Sequence, residues 1–218
     1  MTTPRTVETD VHNFLDYLLD SEVALYTNPV INQRGRVSWR SGNAGVEFLP
    51  NRRLPAATDY RHWLEAGSYS AVLSDGALLQ ITYEFEGHQL VAHRLAYVPC
   101  PFDVDPDLLA SEPLLEVYDL HAGGHAHSVV LGTVIRFDFD RSAARRGHSA
   151  SHLTINGPSC RIPCAAPVRV GQFSDFVFRH FYPSIAAAHP YLISVAETWG
   201  ERTVTDEESG RLHMSWRS

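Results

Sequence analysis

Residues 70–98 read SAVLSDGALLQITYEFEGHQLVAHRLAYV, and the fold turns on this stretch. Apolar and polar residues alternate across 79–85, the period of two that a half-buried strand requires, and 90–98 is a mostly apolar run of strand length. Asp75-Gly76 and Glu86-Gly87-His88 punctuate the run. Asp-Gly favours a two-residue type I′ hairpin turn, in which both central residues take positive φ. The segment therefore predicts an antiparallel meander of strands over 71–73, 78–85 and 90–98. No strand–helix–strand alternation surrounds it, which argues against a doubly wound parallel sheet.

Upstream, Val11, Phe14, Leu15, Leu18, Leu19 and Val23 recur at helical spacing. They predict a helix over 8–25, capped by Thr9 or Asp10. A second helix is expected over 57–66, with Thr58 as N-cap and Gly67 just past its end. Downstream, 99–113 contains four prolines and reads as a surface loop, and HAGGHAH (121–127) as a glycine-broken turn. SVVLGTVIRFDFD (128–140) predicts a long strand, followed by shorter ones over 152–156 and 160–162. Phe173, Phe176, Val177 and Phe181 mark a helix over 171–182, stopped by Pro183, with a further helix over 184–199. His180 in the first of these is expected in the core.

The fold class is α+β: one domain, a curved antiparallel sheet of six or seven strands, and helices covering one face. Along the chain this places an N-terminal helical region over 1–66, the sheet over 67–166, C-terminal helices over 167–200 and a polar tail over 201–218.

Of 218 residues, 44% are hydrophobic and 20% charged, as in a globular protein. The opening MTTPRTVETD lacks the apolar segment of an export signal, and no apolar run reaches the roughly 20 residues of a membrane span. Three cysteines, an odd number, suit a reducing compartment. A soluble cytoplasmic protein without a membrane partner is the expectation. The net charge of −7 argues against strong nonspecific nucleic-acid binding. All 18 basic residues are arginine, which excludes lysine Schiff-base chemistry and a P-loop lysine.

Chemistry concentrates between 136 and 161. Ile135, Phe137 and Phe139 turn to one side of their strand, Arg136, Asp138 and Asp140 to the other. In the next strand Leu153 and Ile155 oppose His152 and Thr154, and Arg161 follows between Cys160 and Ile162. Antiparallel pairing would collect Arg136, Asp138, His152, Thr154 and Arg161 on one face. The loop RSAARRGHSAS (141–151) would bring Arg145, Arg146 and His148 to its rim. In a catalytic reading, His152 is the general base, with Asp138 orienting it and His148 close by. Arg136, Arg161 and Thr154 then bind an anionic substrate. A metal version would use Asp138, His148 and His152 as ligands, but the expectation is no metal and no cofactor. The competing interpretation is a solvated sheet face with ordinary cross-strand ion pairs. His121, His125 and His127 read as a surface turn, since a zinc site needs a firmer scaffold. Cys160 and Cys164 read as structural thiols.

The segments IRFDFD, HSASHLTIN, CRIPCAAPV and FSDFVFRHFYP, with LLQITYEFEG and HRLAYVPCP, resemble the bacterial domain-of-unknown-function 2290 family. The resemblance covers about residues 60–190 and implies no activity. A looser likeness is to small bacterial toxins of toxin–antitoxin pairs, in which an Arg-x-Asp strand precedes a histidine-rich segment. Arg136, Asp138, His148 and His152 would take those positions, although this chain is longer and has no His-His-x-His run. Three functions stay open. One is an RNase-like hydrolase of phosphodiesters in a defence or toxin setting, acting on RNA or a phosphorylated small molecule. Another is a non-catalytic adaptor binding a protein partner or small anion through the same face. The last is an interaction surface at 99–113.

Overall fold

A computed structural model describes residues 3–40, 55–123, 129, 131–132, 134–145, 149–156, 160–195 and 198–216. Among these the chain forms seven α-helices and an open, curved antiparallel sheet of nine strands. Helix α1 (Pro4–Asp20) is followed by β1 (Ala24–Thr27), β2 (Val30–Gln33) and β3 (Arg36–Trp39). Next come α2 (Ala57–Glu65), β4 (Ala71–Leu73), β5 (Leu78–Glu86) and β6 (Gln89–Val98). After α3 (Pro106–Ser111) and α4 (Leu114–Ala122) run β7 (Ile135–Asp140), β8 (Ser151–Ile155) and β9 (Arg161–Pro163). Helices α5 (Val170–Phe181), α6 (Pro183–Ala188) and α7 (Asp206–Ser209) complete the chain. The sheet order is β1-β4-β5-β6-β7-β8-β9, with β3 pairing the far half of β5 and β2 pairing β3.

The meander forms as its alternation requires: Leu79, Ile81, Tyr83 and Phe85 of β5 point to one face, with Leu95 and Tyr97 of β6 and Phe137 and Phe139 of β7. Helices α1 and α5 cover that face. Phe137 meets Phe173 and Phe176 of α5 edge-on, and Trp216 of the tail lies 6.0 Å away, centroid to centroid. A smaller core lies on the opposite face, where α2 and α4 pack on Val72, Leu78, Ala96 and Val98. Those helices cover only one half of that face. The other half is left to the polar residues of β5–β9.

Several local expectations are corrected. Helix α1 begins at Pro4, capped by Thr3 in a reciprocal bond with Thr6, and it ends before β1. Strands β1–β3 occupy a region expected to be helical. The type I′ turn expected at Asp75-Gly76 occurs instead at Arg34-Gly35, whose φ values are 53° and 81°. A Cβ on Gly35 would come within 2.5 Å of Phe85 O, so only glycine fits. At Asp75-Gly76 the loop has three residues, closed by Leu73 N donating to Ala77 O, and Gly76 alone has positive φ. Helix α2 is capped by Ala56, not Thr58.

Residues 99–113 are not a plain loop, because Asp105 and Pro106 start α3. Helix α4 follows at once and takes in His121, while His125 and His127 lie outside the described residues. Strand β7 begins at Ile135; Leu131 N and Val129 O pair instead with Pro55 O and Ala57 N. The expected helix over 184–199 breaks at Pro190 into a 3₁₀ turn. His180 is exposed, with its ring 5.0 Å from Phe176, rather than in the core. Among the described residues the tail joins the strands by an isolated bridge from Met214 to Cys164. Burial pushes the Cys164 thiol up to about 12, as expected of a structural thiol.

His93 of β6 is a buried polar group on the core face, beside Tyr83 and Phe139. Val168 N donates to its Nε2 at 2.8 Å, so the ring proton is on Nδ1. Burial pushes its pKa down to about 3. The unfolded chain therefore takes up a proton near pH 6.5 that the folded chain refuses until about pH 3. Stability from this group is complete above pH 6.5 and falls by about 1.4 kcal/mol per pH unit below it. Urea unfolding between pH 7.5 and 5 is expected to show this slope. His93→Gln, whose amide oxygen can accept from Val168 N, is expected to lose it.

Candidate functional site

Strand register assembles the polar half-face. Arg94, Asp138 and His152 are direct partners across β6, β7 and β8, and Thr82 of β5 pairs with Arg94. One step along, Arg136, Thr154 and Arg161 are partners across β7, β8 and β9. Side chains two apart on a strand share a face, so both rows rise on the same side. Arg136 sits beside Ala96, at the boundary with the smaller core.

Asp138 is the hub. Its Oδ2 accepts from Arg136 Nε at 2.6 Å and lies 3.7 Å from His152 Nε2, while Oδ1 is 3.4 Å from Arg94 Nε. Arg136 is only 5% exposed, His152 7% and Asp138 8%. That burial removes the simplest form of the solvated-face interpretation. Desolvation lowers the Arg136 pKa, Asp138 raises it, and Arg94 and Arg161 lower it further. The guanidinium stays charged at any ordinary pH, so three like charges lie near one another, two of them in contact with Asp138.

These residues line a cleft of about 450 Å³, within the range of small-molecule sites. Arg36, Arg94, Arg136 and Arg161 contribute four positive charges against three carboxylates, Glu84, Asp138 and Asp140. The cleft is thus locally cationic on a chain of net charge −7. Arg161 is exposed and the Arg94 side chain is 42% exposed, whereas Arg136 is buried.

Of the residues singled out in the sequence, the structure brings Arg136, Asp138, His152 and Arg161 together. Thr154 is buried between Arg136 and Arg161 in register but does not line the cleft. Its hydroxyl has no hydrogen-bond partner among the described residues. His148 and Arg146 lie outside the described residues, and Arg145 is exposed away from the lining. Arg94, Arg36, Glu84 and Thr82 were missed. The alternation of HRLAYV already turned Arg94 away from Leu95 and Tyr97, but only the β6–β7 register sets it against Asp138. Among the described residues no three His, Cys, Asp or Glu side chains converge as a metal site.

A family model described as "Uncharacterized conserved protein (DUF2290)" matches residues 18–216. The chain belongs to the DUF2290 family. In this DUF2290 chain the matched span contains the whole cleft lining, from Arg36 to Arg161. No curated protein and no solved structure is significantly similar to it. No helix among the described residues is long and apolar enough to cross a membrane.

Proposed function

We propose that the cleft binds a phosphate ester and that the protein is a metal-independent hydrolase of phosphodiesters, with RNA as the substrate class. The observation that carries this reading is the meeting of two arginines and one histidine around Asp138, with Arg161 in the same concave, polar cleft. Guanidiniums match phosphate oxygens with paired N–H donors. Arg94, Arg136 and Arg161 would hold the phosphate, and the buried Arg136 would neutralise the charge that grows on it as the attacking hydroxyl adds. His152 would take the proton of that hydroxyl and return it to the leaving oxygen, with Asp138 fixing the imidazole. At 3.7 Å the His152–Asp138 contact is longer than a hydrogen bond, and it would tighten as the imidazole gains charge.

The test is cleavage of end-labelled single-stranded and structured RNA in the presence of a chelator. Product that forms without metal supports the reading; intact RNA after prolonged incubation overturns it. A second reading has its own support, because Asp138 is shared by two guanidiniums and an imidazole, as in a network that stiffens a binding surface. Phosphate bound in the cleft without turnover would select a non-catalytic module that recognises small anions.

A further inference from the structure

The two ends of the cleft differ in chemistry. Arg136 and Arg161 mark one end, with His152 and Arg94 in the next row. At the other end Glu84 of β5 and Asp140 of β7 both pair with Ala92 of β6, which places two carboxylates in one row. Asp140 is held by Ser142, whose N and Oγ donate to its Oδ1 at 2.9 and 2.7 Å. Arg36 Nε stands 3.7 Å from Glu84 Oε1, too far for a hydrogen bond, so Glu84 keeps capacity to accept one from a ligand. Two residues along a strand span about 7 Å. That step, from the Arg94–Asp138–His152 row to the Glu84–Asp140 row, suits a pentose lying between its phosphate and its far hydroxyls.

Among the described residues the cleft presents no phenylalanine, tyrosine or tryptophan face to a nucleobase, and its one inward imidazole, His152, lies against Asp138. Among the described residues the apolar ones that line it are Ala92, Ala143 and Phe139. Its aromatic neighbours, His93 and Phe139, occupy the alternate strand positions and pack with Tyr83 in the core. Single-stranded nucleic-acid sites that hold bases do so on aromatic faces.

We propose that the cleft recognises a sugar phosphate, with the phosphate on the arginines and the sugar hydroxyls on Glu84 and Asp140, and is indifferent to any base attached. This rests on the phosphate-ester reading above and specifies its substrate. The full chain is titrated calorimetrically with inorganic phosphate, ribose 5-phosphate, uridine 5′-monophosphate and adenosine 5′-monophosphate. Ribose 5-phosphate is expected to bind about tenfold more tightly than phosphate, the worth of one or two extra hydrogen bonds. The two nucleotides should match ribose 5-phosphate within about threefold, since a base without a stacking partner adds little.

Glu84→Gln removes a negative charge and so strengthens binding of every anion, but the tenfold preference for ribose 5-phosphate over phosphate should collapse towards one. A preference for one nucleotide beyond about tenfold, or a sugar preference that survives in Glu84→Gln, overturns the inference while leaving the phosphate site standing. If none of the four ligands binds, both fall. A uridine ribo-oligonucleotide decides the source of the sugar phosphate: tighter binding than ribose 5-phosphate assigns it to an RNA backbone, weaker binding to a free metabolite.

Discussion

His152→Ala is expected to reduce phosphodiester cleavage by about 10²–10⁴-fold, the usual contribution of a positioned general base. His152 projects from β8 into the cleft, whereas its neighbour Leu153 belongs to the main core. Truncation at 152 therefore opens the cleft to water instead of hollowing the core. The melting temperature should move by only a few degrees, as about 1 kcal/mol shifts a chain of this size by roughly 2–4 °C. Arg161→Ala, at an exposed wall position, is expected to raise KM far more than it lowers kcat, because it removes a contact that ground state and transition state share. Steady-state kinetics on one labelled oligonucleotide separate the two effects. If His152→Ala retains cleavage within about threefold of the parent, far less than a general base contributes, the imidazole does not carry the proton. The arginines would then be left as a binding surface.

The parts of the fold legible in the sequence are those where a short local rule coincides with tertiary need. The alternation over 79–85 was visible because one face of β5 is core along its length. The same rule turned Arg136 and Asp138 away from Phe137, and His152 away from Leu153. Strands β1, β2 and β3 escaped because four residues each, ALYT, VINQ and RVSW, carry too few periods to register. Prolines misled in 99–113. Pro106 occupies the first turn of α3 and Pro113 the cap of α4, positions where a missing N–H costs nothing. The burial of the polar face was not legible, because alternation gives the side on which a residue lies and not what covers it. Arg94 was invisible for a related reason. Its partner Asp138 lies 44 positions on, and a single step of slip in β7 would have paired it with a phenylalanine.

Asp138→Asn is expected to cost about 3–5 kcal/mol of stability, the penalty for neutralising one member of a buried ion pair. The substitution keeps the shape of the side chain and removes its charge. It takes from Arg136, 6% exposed at its side chain, the carboxylate that its Nε bonds, beside the like charges of Arg94 and Arg161. Water reaches Arg94, whose side chain is 42% exposed, which places the loss towards the lower end of that range.

The more discriminating outcome is rescue. An anion that binds only the folded state adds about 2.7 kcal/mol at a hundred times its Kd. In the parent protein phosphate competes with Asp138 for the same guanidiniums; in Asp138→Asn it replaces the missing charge. Phosphate should therefore raise the melting temperature of the variant by more than it raises that of the parent, in buffers matched for ionic strength. Cleavage stays low in the rescued variant, because a stable fold does not restore the carboxylate that orients His152. Equal shifts in the two proteins, or an equal effect from chloride, would mean that phosphate does not take the place of the Asp138 carboxylate on these guanidiniums.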